Sequence, residues 1–461
     1  MSKATDPTDP TDDDFREAGD AVFAALMDRV GEAAPRPRLE PTRRAMDLLG
    51  DPQNAYPIIH IAGTNGKTST SRITESILRA YGLHTGLLTS PHLVRLNERI
   101  MLDGEPISDE FLAASWADIQ PYLGMVDAEL EADGEERLTF FEALTVLAFA
   151  CFADAPVDVA VIEVGMGGEW DSTNVAVGQV AVFTPIALDH TLRLGSTVAE
   201  IARTKAGIIK PSAAIVSAGQ DAGALAELQR AAGLSEATLA LEGDAFALLH
   251  STVAVGGQLI SVRGLAATYT ELFLPLYGTH QAQNATLAIA AVESFIGGGT
   301  QPLVADIVAE GLGSVTSPGR LQLIGVEPTM LVDAAHNPHG AAALSAALTS
   351  YFDFDEIVAV VGILEGKDTE GIVTALEPQI TRFHVTQPLS ERAVPMDDLA
   401  EKISGWVGDE RTFRFDDLNE ALEAARDWAG EAPKRAVIVT GSITLVGEAI
   451  ILADAGEWLP A

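Results

Sequence analysis

The stretch IAGTNGKTST at residues 61–70 decides how the chain is read. It resembles a phosphate loop but departs from the strict G-x-x-x-x-G-K-[ST] pattern, which needs glycine where Ile61 stands. The candidate loop is therefore the more compact Gly63-Thr64-Asn65-Gly66-Lys67-Thr68. An apolar run over 56–62 precedes it and a helical pattern over 68–81 follows. That strand–loop–helix context aims successive backbone N–H groups and a helix N-terminus at an anion. Lys67 would then reach the outer phosphates and Thr68 a Mg²⁺ ion. An ordinary glycine-rich turn has no need of Lys-Thr directly after its second glycine.

Outward from this loop, short apolar runs alternate with helical patterns. Strands are expected at 157–164, 180–184, 213–217, 330–333, 357–362, 383–386 and 436–440. Near-continuous apolar runs suit parallel strands buried on both faces. The pattern predicts an α/β fold, a P-loop-containing, doubly wound, mostly parallel sheet, followed by a smaller Rossmann-like α/β unit. Residues 245–277 differ: short strands around Gly256-Gly257 predict an antiparallel insertion. Helices are expected at 281–295 and 303–312, and SPGR at 317–320 opens a new set of βα units. The expected division is an acidic disordered tail over 1–14, an ATP-binding domain over 15–316 and a C-terminal domain over 317–461.

Composition narrows the function classes. With 66 acidic against 29 basic residues, the formal charge is −37, which opposes nucleic-acid binding. The single cysteine, Cys151, excludes a disulfide framework and a cysteine-based zinc site. No secretory signal opens the chain, and no apolar run reaches the roughly 18 residues of a membrane span. The nearest run, 140–153, carries Glu142 and reads as a buried helix. A cytoplasmic location is expected.

Further constellations follow the expected strands. Glu163 ends one, and EVGMGGEWDSTN (163–174) continues into a glycine-rich loop, the crevice where α/β sheets place metal-ligating carboxylates. LDH (188–190) places His190 after the next strand. In ARTKAGIIK (202–210), Lys205 precedes an apolar run, and burial would lower its pKa and make its amine nucleophilic, including towards CO₂. In the C-terminal part Arg320 lies on a turn, Asp333 at the end of a strand and His336 in the loop after it, and they would face a nucleotide from the opposite side.

Taken together, the chain resembles the folylpolyglutamate synthase/dihydrofolate synthase family of the Mur-ligase superfamily, in its bifunctional bacterial form. Eleven segments carry the resemblance in order: GTNGKTS (63–69), TSPHLVRLNERI (89–100), TFFE (139–142), EVGMGGEWDSTN, LDH, TKAGII (204–209), GTHQAQNA (278–285), SPGRLQ (317–322), DAAHNP (333–338), GKD (366–368) and TGSITLVGEA (440–449). The resemblance implies an ATP-dependent amide ligase that adds L-glutamate to dihydropteroate and to reduced folates through an acyl phosphate. Thr64, Asn65, Gly66, Lys67, Thr68, Asn284, Arg320, Asp333 and His336 would bind ATP. Ser90, Glu163 and His190 would ligate Mg²⁺, with Thr68 adding a contact. Lys67, Lys205 and His190 would act in catalysis, Lys205 as a carbamate supporting a second Mg²⁺ ion. Thr139, Phe140, Phe141, Glu142, Trp170, Asp171 and Ser172 would bind the pterin-bearing substrate. A monomer acting on small molecules, with no nucleic-acid or membrane partner, is expected.

Two rivals remain. Mur ligases acting on other acceptors carry a whole domain before the phosphate loop, where only 62 residues precede Gly63 here. A nucleotide-binding protein without ligase chemistry would not need Glu163, His190 and Lys205 together. Two positions depart from the family: Glu169 stands where arginine is usual, and TLRLG follows LDH in place of an acidic residue and an aromatic. Glu169 is expected to weaken binding of an anionic substrate tail; either a neighbouring cation such as Arg193 compensates or substrate handling differs.

Overall fold

The computed structural model describes residues 11–31, 36–456 and 458–459. The first sheet contains β1 (Ile58–Ala62), β2 (Thr85–Leu88), β3 (Ile100–Leu102), β4 (Glu105–Pro106), β5 (Val159–Glu163), β6 (Val180–Phe183), β7 (Ala214–Ser217) and β8 (Thr238–Leu241). Its order is β4-β3-β2-β5-β1-β6-β7-β8, with the pairs β2–β3 and β3–β4 antiparallel and the remaining pairs parallel. All five residues of β1 and of β5 are buried, as strands covered on both faces require. Helices Lys67–Ala80 and Thr279–Gly297 pack one face, around Ile73, Ile77 and Leu287. Helices Asp12–Met27, Asp109–Ala132 and Phe140–Asp154 pack the other, around Leu26, Trp116 and Phe149.

A three-stranded antiparallel sheet, β9 (Ala247–Ala254), β10 (Gly257–Arg263) and β11 (Thr268–Leu274), forms the expected insertion. The third sheet holds β12 (Gln322–Val326), β13 (Thr329–Asp333), β14 (Glu356–Val361), β15 (Arg382–Val385), β16 (Thr412–Arg414) and β17 (Arg435–Thr440), in the order β12-β13-β17-β14-β15-β16. Only the β12–β13 pair is antiparallel. Strands β1, β5 and β6 of the first sheet and β13, β14 and β17 of the third end at one shared cleft. Ligands of α/β sheets gather at such carboxyl ends.

Residues 11–14, assigned by composition to a tail, are instead the start of helix Asp12–Met27. Thr11 and Asp14 form a reciprocal capping box, and three acidic residues in the first turn complement the helix dipole. Residues 1–10 of that expected tail lie outside the described residues. Among the described residues no helix is long and apolar enough to cross a membrane. Cys151 is buried, and that burial pushes its thiol pKa up to about 12, which leaves it inert.

Candidate active site

The loop after β1 is shaped by two glycines. A side chain at Gly63 would overlap the Thr184 hydroxyl at the end of β6. Gly66, at φ 86°, caps the helix Lys67–Ala80 in the left-handed region and packs against the Asn284 amide. Thr64 locks the loop to the segment after β6: its hydroxyl donates to Ala187 O and accepts from Ala187 N, both at 3.1 Å. Lys67 Nζ donates to Thr64 O at 3.4 Å, folded over its own loop. The helix N-terminus beyond leaves first-turn N–H groups without intrahelical partners, aimed into the cleft.

That cleft is a single cavity of about 710 Å³. It brings together Thr64, Asn65, Gly66, Lys67, Thr68, Ser90, Thr139, Phe141, Glu142, Glu163, Trp170, Asp171, Ser172, His190, Lys205, Asn284, Arg320, Asp333 and His336. Phe140 is the exception among the expected residues. It lies in the core beneath the Arg99 guanidinium, whose carbon is 5.1 Å from the ring centroid, and does not line the cavity.

Glu163 is 1% exposed, and burial pushes its pKa up. Thr68 Oγ1 donates to its Oε1 at 3.0 Å, and Ser90 N to its Oε2 at 3.4 Å. This leaves carboxylate lone pairs for a cation. Glu163, Thr68 and Ser90 offer only hard oxygen atoms, a donor set that fits Mg²⁺ shared with substrate phosphates. Among the described residues no three His, Cys, Asp or Glu side chains gather as a ready-made metal cage. His190 Nε2 lies 3.9 Å from Asp189 Oδ2, and burial holds its pKa near 4, neutral at physiological pH.

Lys205 is 5% exposed, and its Nζ donates to Gly63 O at 2.7 Å. Burial, then the neighbouring charge of Lys67, lowers its pKa to about 7. A lysine amine is therefore held beneath the phosphate loop in a state where much of it is neutral at physiological pH.

Several expected ligands already have partners. Thr139 and Glu142 form the capping box of helix Phe140–Asp154, and Arg38 binds both Glu142 oxygens at 3.0 Å. Both Asp171 oxygens are taken, by Thr173 and by Met166 N. Ser172 Oγ pairs with Thr145 Oγ1 at 2.9 Å. These residues shape the wall, while Phe141 and Trp170, the latter 43% exposed, present aromatic surface. Glu169 is exposed and absent from the lining, so its charge does not enter the cavity; Arg193 does line it.

Sequence reasoning missed Asp189, although LDH was singled out for its histidine. Asp189 Oδ1 accepts from Lys367 Nζ at 2.9 Å, and its Oδ2 accepts from Asn337 Nδ2 at 3.3 Å and lies 3.6 Å from His336 Nε2. Burial alone would raise its pKa, but His336, His190 and Lys367 outweigh it and hold the carboxyl well below the usual range. Asn65 adds a second bridge, pairing with Asn337 through both amides at 3.0 and 3.2 Å and with His339 Nδ1 at 2.9 Å. The cleft is thus closed by contacts between segments about 150 to 270 residues apart. Their shared signal in sequence was limited to the N-P and G-K-D turns at 337–338 and 366–368.

Comparison with known proteins matches the Mur ligase middle domain over residues 61–292 and the Mur ligase, glutamate ligase domain over 319–443. A dihydrofolate synthase/folylpolyglutamate synthase of Mycobacterium tuberculosis is 43% identical over 440 residues, covering 90% of each chain. Folylpolyglutamate synthase of the same organism, complexed with ADP, superposes with a TM-score of 0.92 at 41% identity, covering 95% of this chain and 99% of that one. Escherichia coli FolC in complex with DHPP and ADP gives 0.82 at 29% identity, covering 95% and 98%.

Proposed function

The chain belongs to the dihydrofolate synthase/folylpolyglutamate synthase family of Mur ligases, and from that premise we propose how its cavity performs the reaction. It is an ATP-dependent carboxylate–amine ligase that adds L-glutamate to folates. The observation that carries the residue assignment is the single cavity shared by the phosphate loop, Glu163, Lys205 and the turns bearing Arg320 and His336.

Amide formation from a carboxylate needs an activated acyl group. The γ-phosphoryl of ATP passes to the acceptor carboxylate, giving an acyl phosphate and ADP. The amine of L-glutamate then attacks the acyl carbon, and the tetrahedral intermediate collapses with loss of phosphate and a proton. Thr64 to Thr68 cradle the phosphates, with Lys67 drawn off Thr64 O onto the transferred group. Asn284, Arg320, Asp333 and His336 complete the nucleotide side. Bound Mg²⁺ supplies charge neutralisation on the phosphoryl oxygens. Glu163, Ser90 and His190, with Thr68 beside them, would hold it.

The finer assignments rest on physical support. Carbamylation of Lys205 is favoured by its lowered pKa, which leaves a neutral nucleophilic amine, and the resulting anion would sit close to Lys67 and support a second Mg²⁺ ion. The acceptor, dihydropteroate or a reduced folate, occupies the wall of Thr139, Phe141, Glu142, Trp170, Asp171 and Ser172; Phe140 supports that wall from the core. The contacts Asn65–Asn337 and Asp189–Lys367 keep water from the acyl phosphate when the cleft is closed. A division near residue 316 accords with the third sheet beginning at Gln322. The same reading takes the enzyme as a cytoplasmic monomer without nucleic-acid or membrane partners, in keeping with its charge of −37.

The test is ADP release with ATP-Mg²⁺, L-glutamate and either dihydropteroate or a reduced folate. Glutamate-dependent release with at least one acceptor is expected; ATP hydrolysis indifferent to glutamate with both would contradict the proposal.

A further inference from the structure

Two polar side chains behind the glycine loop 165–171, one buried and one half-buried, have no part in the chemistry above. His60, in the middle of β1, is fully buried, and burial together with the charge of Lys210 lowers its pKa to about 3. Its Nε2 lies 2.9 Å from Thr173 Oγ1. The same hydroxyl lies 2.5 Å from Asp171 Oδ1, and a carboxylate can only accept. The Thr173 proton therefore goes to Asp171, and the hydroxyl oxygen accepts from His60 Nε2–H. This fixes a neutral imidazole tautomer whose Nδ1 has no hydrogen-bond partner among the described residues. Asp171 passes the tie onward, its Oδ2 accepting from Met166 N at 2.8 Å.

The second tie runs through the next residue. Lys210 Nζ donates to Asn174 Oδ1 at 2.8 Å and to Asn174 O at 3.1 Å. With its oxygen so held, the Asn174 amide nitrogen points two ways at once. It donates to Glu169 O, in the glycine loop, and to Gly207 O, just beyond Lys205, both at 3.1 Å. The two segments already touch. A side chain at Gly168 would lie 2.6 Å from Lys205 O, one at Gly207 would lie 2.5 Å from Glu169 Cα, and Glu169 N donates to Thr204 O at 2.8 Å. At such spacing the loop cannot shift independently of the Lys205 segment.

We propose that His60 and Lys210 are positioning residues for the acceptor side of the cavity. Through Thr173 and Asn174 they hold the loop carrying Trp170 and Asp171 at a fixed distance from the segment carrying Lys205. None of His60, Lys210, Thr173 and Asn174 lines the cavity, so they act through the loop alone. The arrangement also bears on Glu169: its backbone is tied at both N and O, while its exposed side chain is not part of the cavity lining. This inference rests on the ligase reading above for its kinetic consequence, but not for its structural one.

The experiment uses the full chain in three variants: Thr173→Val, which loses both hydroxyl bonds, Thr173→Ser, which keeps them, and Lys210→Met. Thr173→Val and Lys210→Met are expected to raise KM for the acceptor about tenfold while KM for ATP stays within about twofold. Thr173→Ser should match the parent. Acceptor KM unchanged in both, both KM values rising together, or Thr173→Ser as damaged as Thr173→Val would each overturn the proposal. Hydrogen exchange is read on the same proteins without turnover. The amides of Met166, Glu169 and Asp171 should exchange about tenfold faster in Thr173→Val and Lys210→Met, with those of 63–68 unchanged. Uniform or absent acceleration overturns the positioning role. An inactive parent with selective acceleration at the loop would instead overturn the ligase reading and leave the positioning role supported.

Discussion

Glu163 and Asp333 occupy matching places in two different sheets. Each is the last residue of a largely buried strand with a parallel neighbour, and burial pushes the pKa of each up. In sequence they carry the same signal, an acidic residue ending an apolar run. Their hydrogen bonds differ. Asp333 Oδ2 accepts from Leu321 N and its Oδ1 from Ala335 N, both at 2.9 Å, which clamps the turn bearing Arg320. Glu163 accepts one hydroxyl bond at 3.0 Å and one long N–H contact at 3.4 Å, and lies near Lys67. One carboxylate is spent on holding a turn; the other keeps lone pairs for a cation. Two acidic residues with the same place at a strand end therefore differ in how many of their acceptor sites remain open.

The largest expected effect lies on the Glu163 side of that contrast. On the proposed reading, Lys205→Ala should lower turnover by at least about 10³-fold in a protein that still folds, although it also loses the bond to Gly63 O. Retained activity in a folded protein would remove Lys205 from the mechanism. Glu163→Gln, which keeps size and loses charge, should cost about 10²-fold in kcat and raise the Mg²⁺ concentration needed for half-activity. If Asp333→Asn raised that Mg²⁺ requirement equally, the contrast would fail. Asp333→Asn is expected instead to leave a buried backbone N–H poorly paired, costing about 1–3 kcal/mol of stability and raising KM for ATP through Arg320.

A pH experiment sharpens the Lys205 side. Its pKa is lowered to about 7, so the amine is neutral above that pH and protonated below it. Only the neutral amine reacts with CO₂. The carbamate signal from labelled bicarbonate should be strong at alkaline pH, fall as pH drops through about 7, and be missing in Lys205→Ala. A signal that persists in Lys205→Ala would place the modification elsewhere. The smallest effect is expected for Glu169→Arg, which should change acceptor KM by less than about twofold because this side chain lies outside the cavity.

Much of the fold was legible because the central strands are continuous apolar runs bounded by glycine, and the phosphate loop joins one of them to an amphipathic helix. The strands that escaped were short or polar. β2 is four residues including Thr85 and Gly86, β3 is three, and β16 is held by a single parallel neighbour. The segment 11–14 reads as acidic tail until the capping box of Thr11 and Asp14 is seen. In the site, residues at strand ends and in glycine-rich loops could be singled out locally, whereas the pairings across the cleft could not. Asp189 gains its meaning from Lys367, 178 positions later, and no local pattern encodes that pairing. Phe140 was misplaced by one helical step: its neighbour Phe141 faces the cavity, while Phe140 turns 100° away into the core.

The central claim is that one cavity couples ATP cleavage to amide formation. Its most direct test is a coupled ADP assay across dihydropteroate and tetrahydrofolate acceptors, with and without L-glutamate. Sustained ADP release that requires acceptor, glutamate and Mg²⁺ together, with glutamate incorporated in equal amount, is predicted. Sustained ADP release that continues unchanged when glutamate is withheld would contradict it.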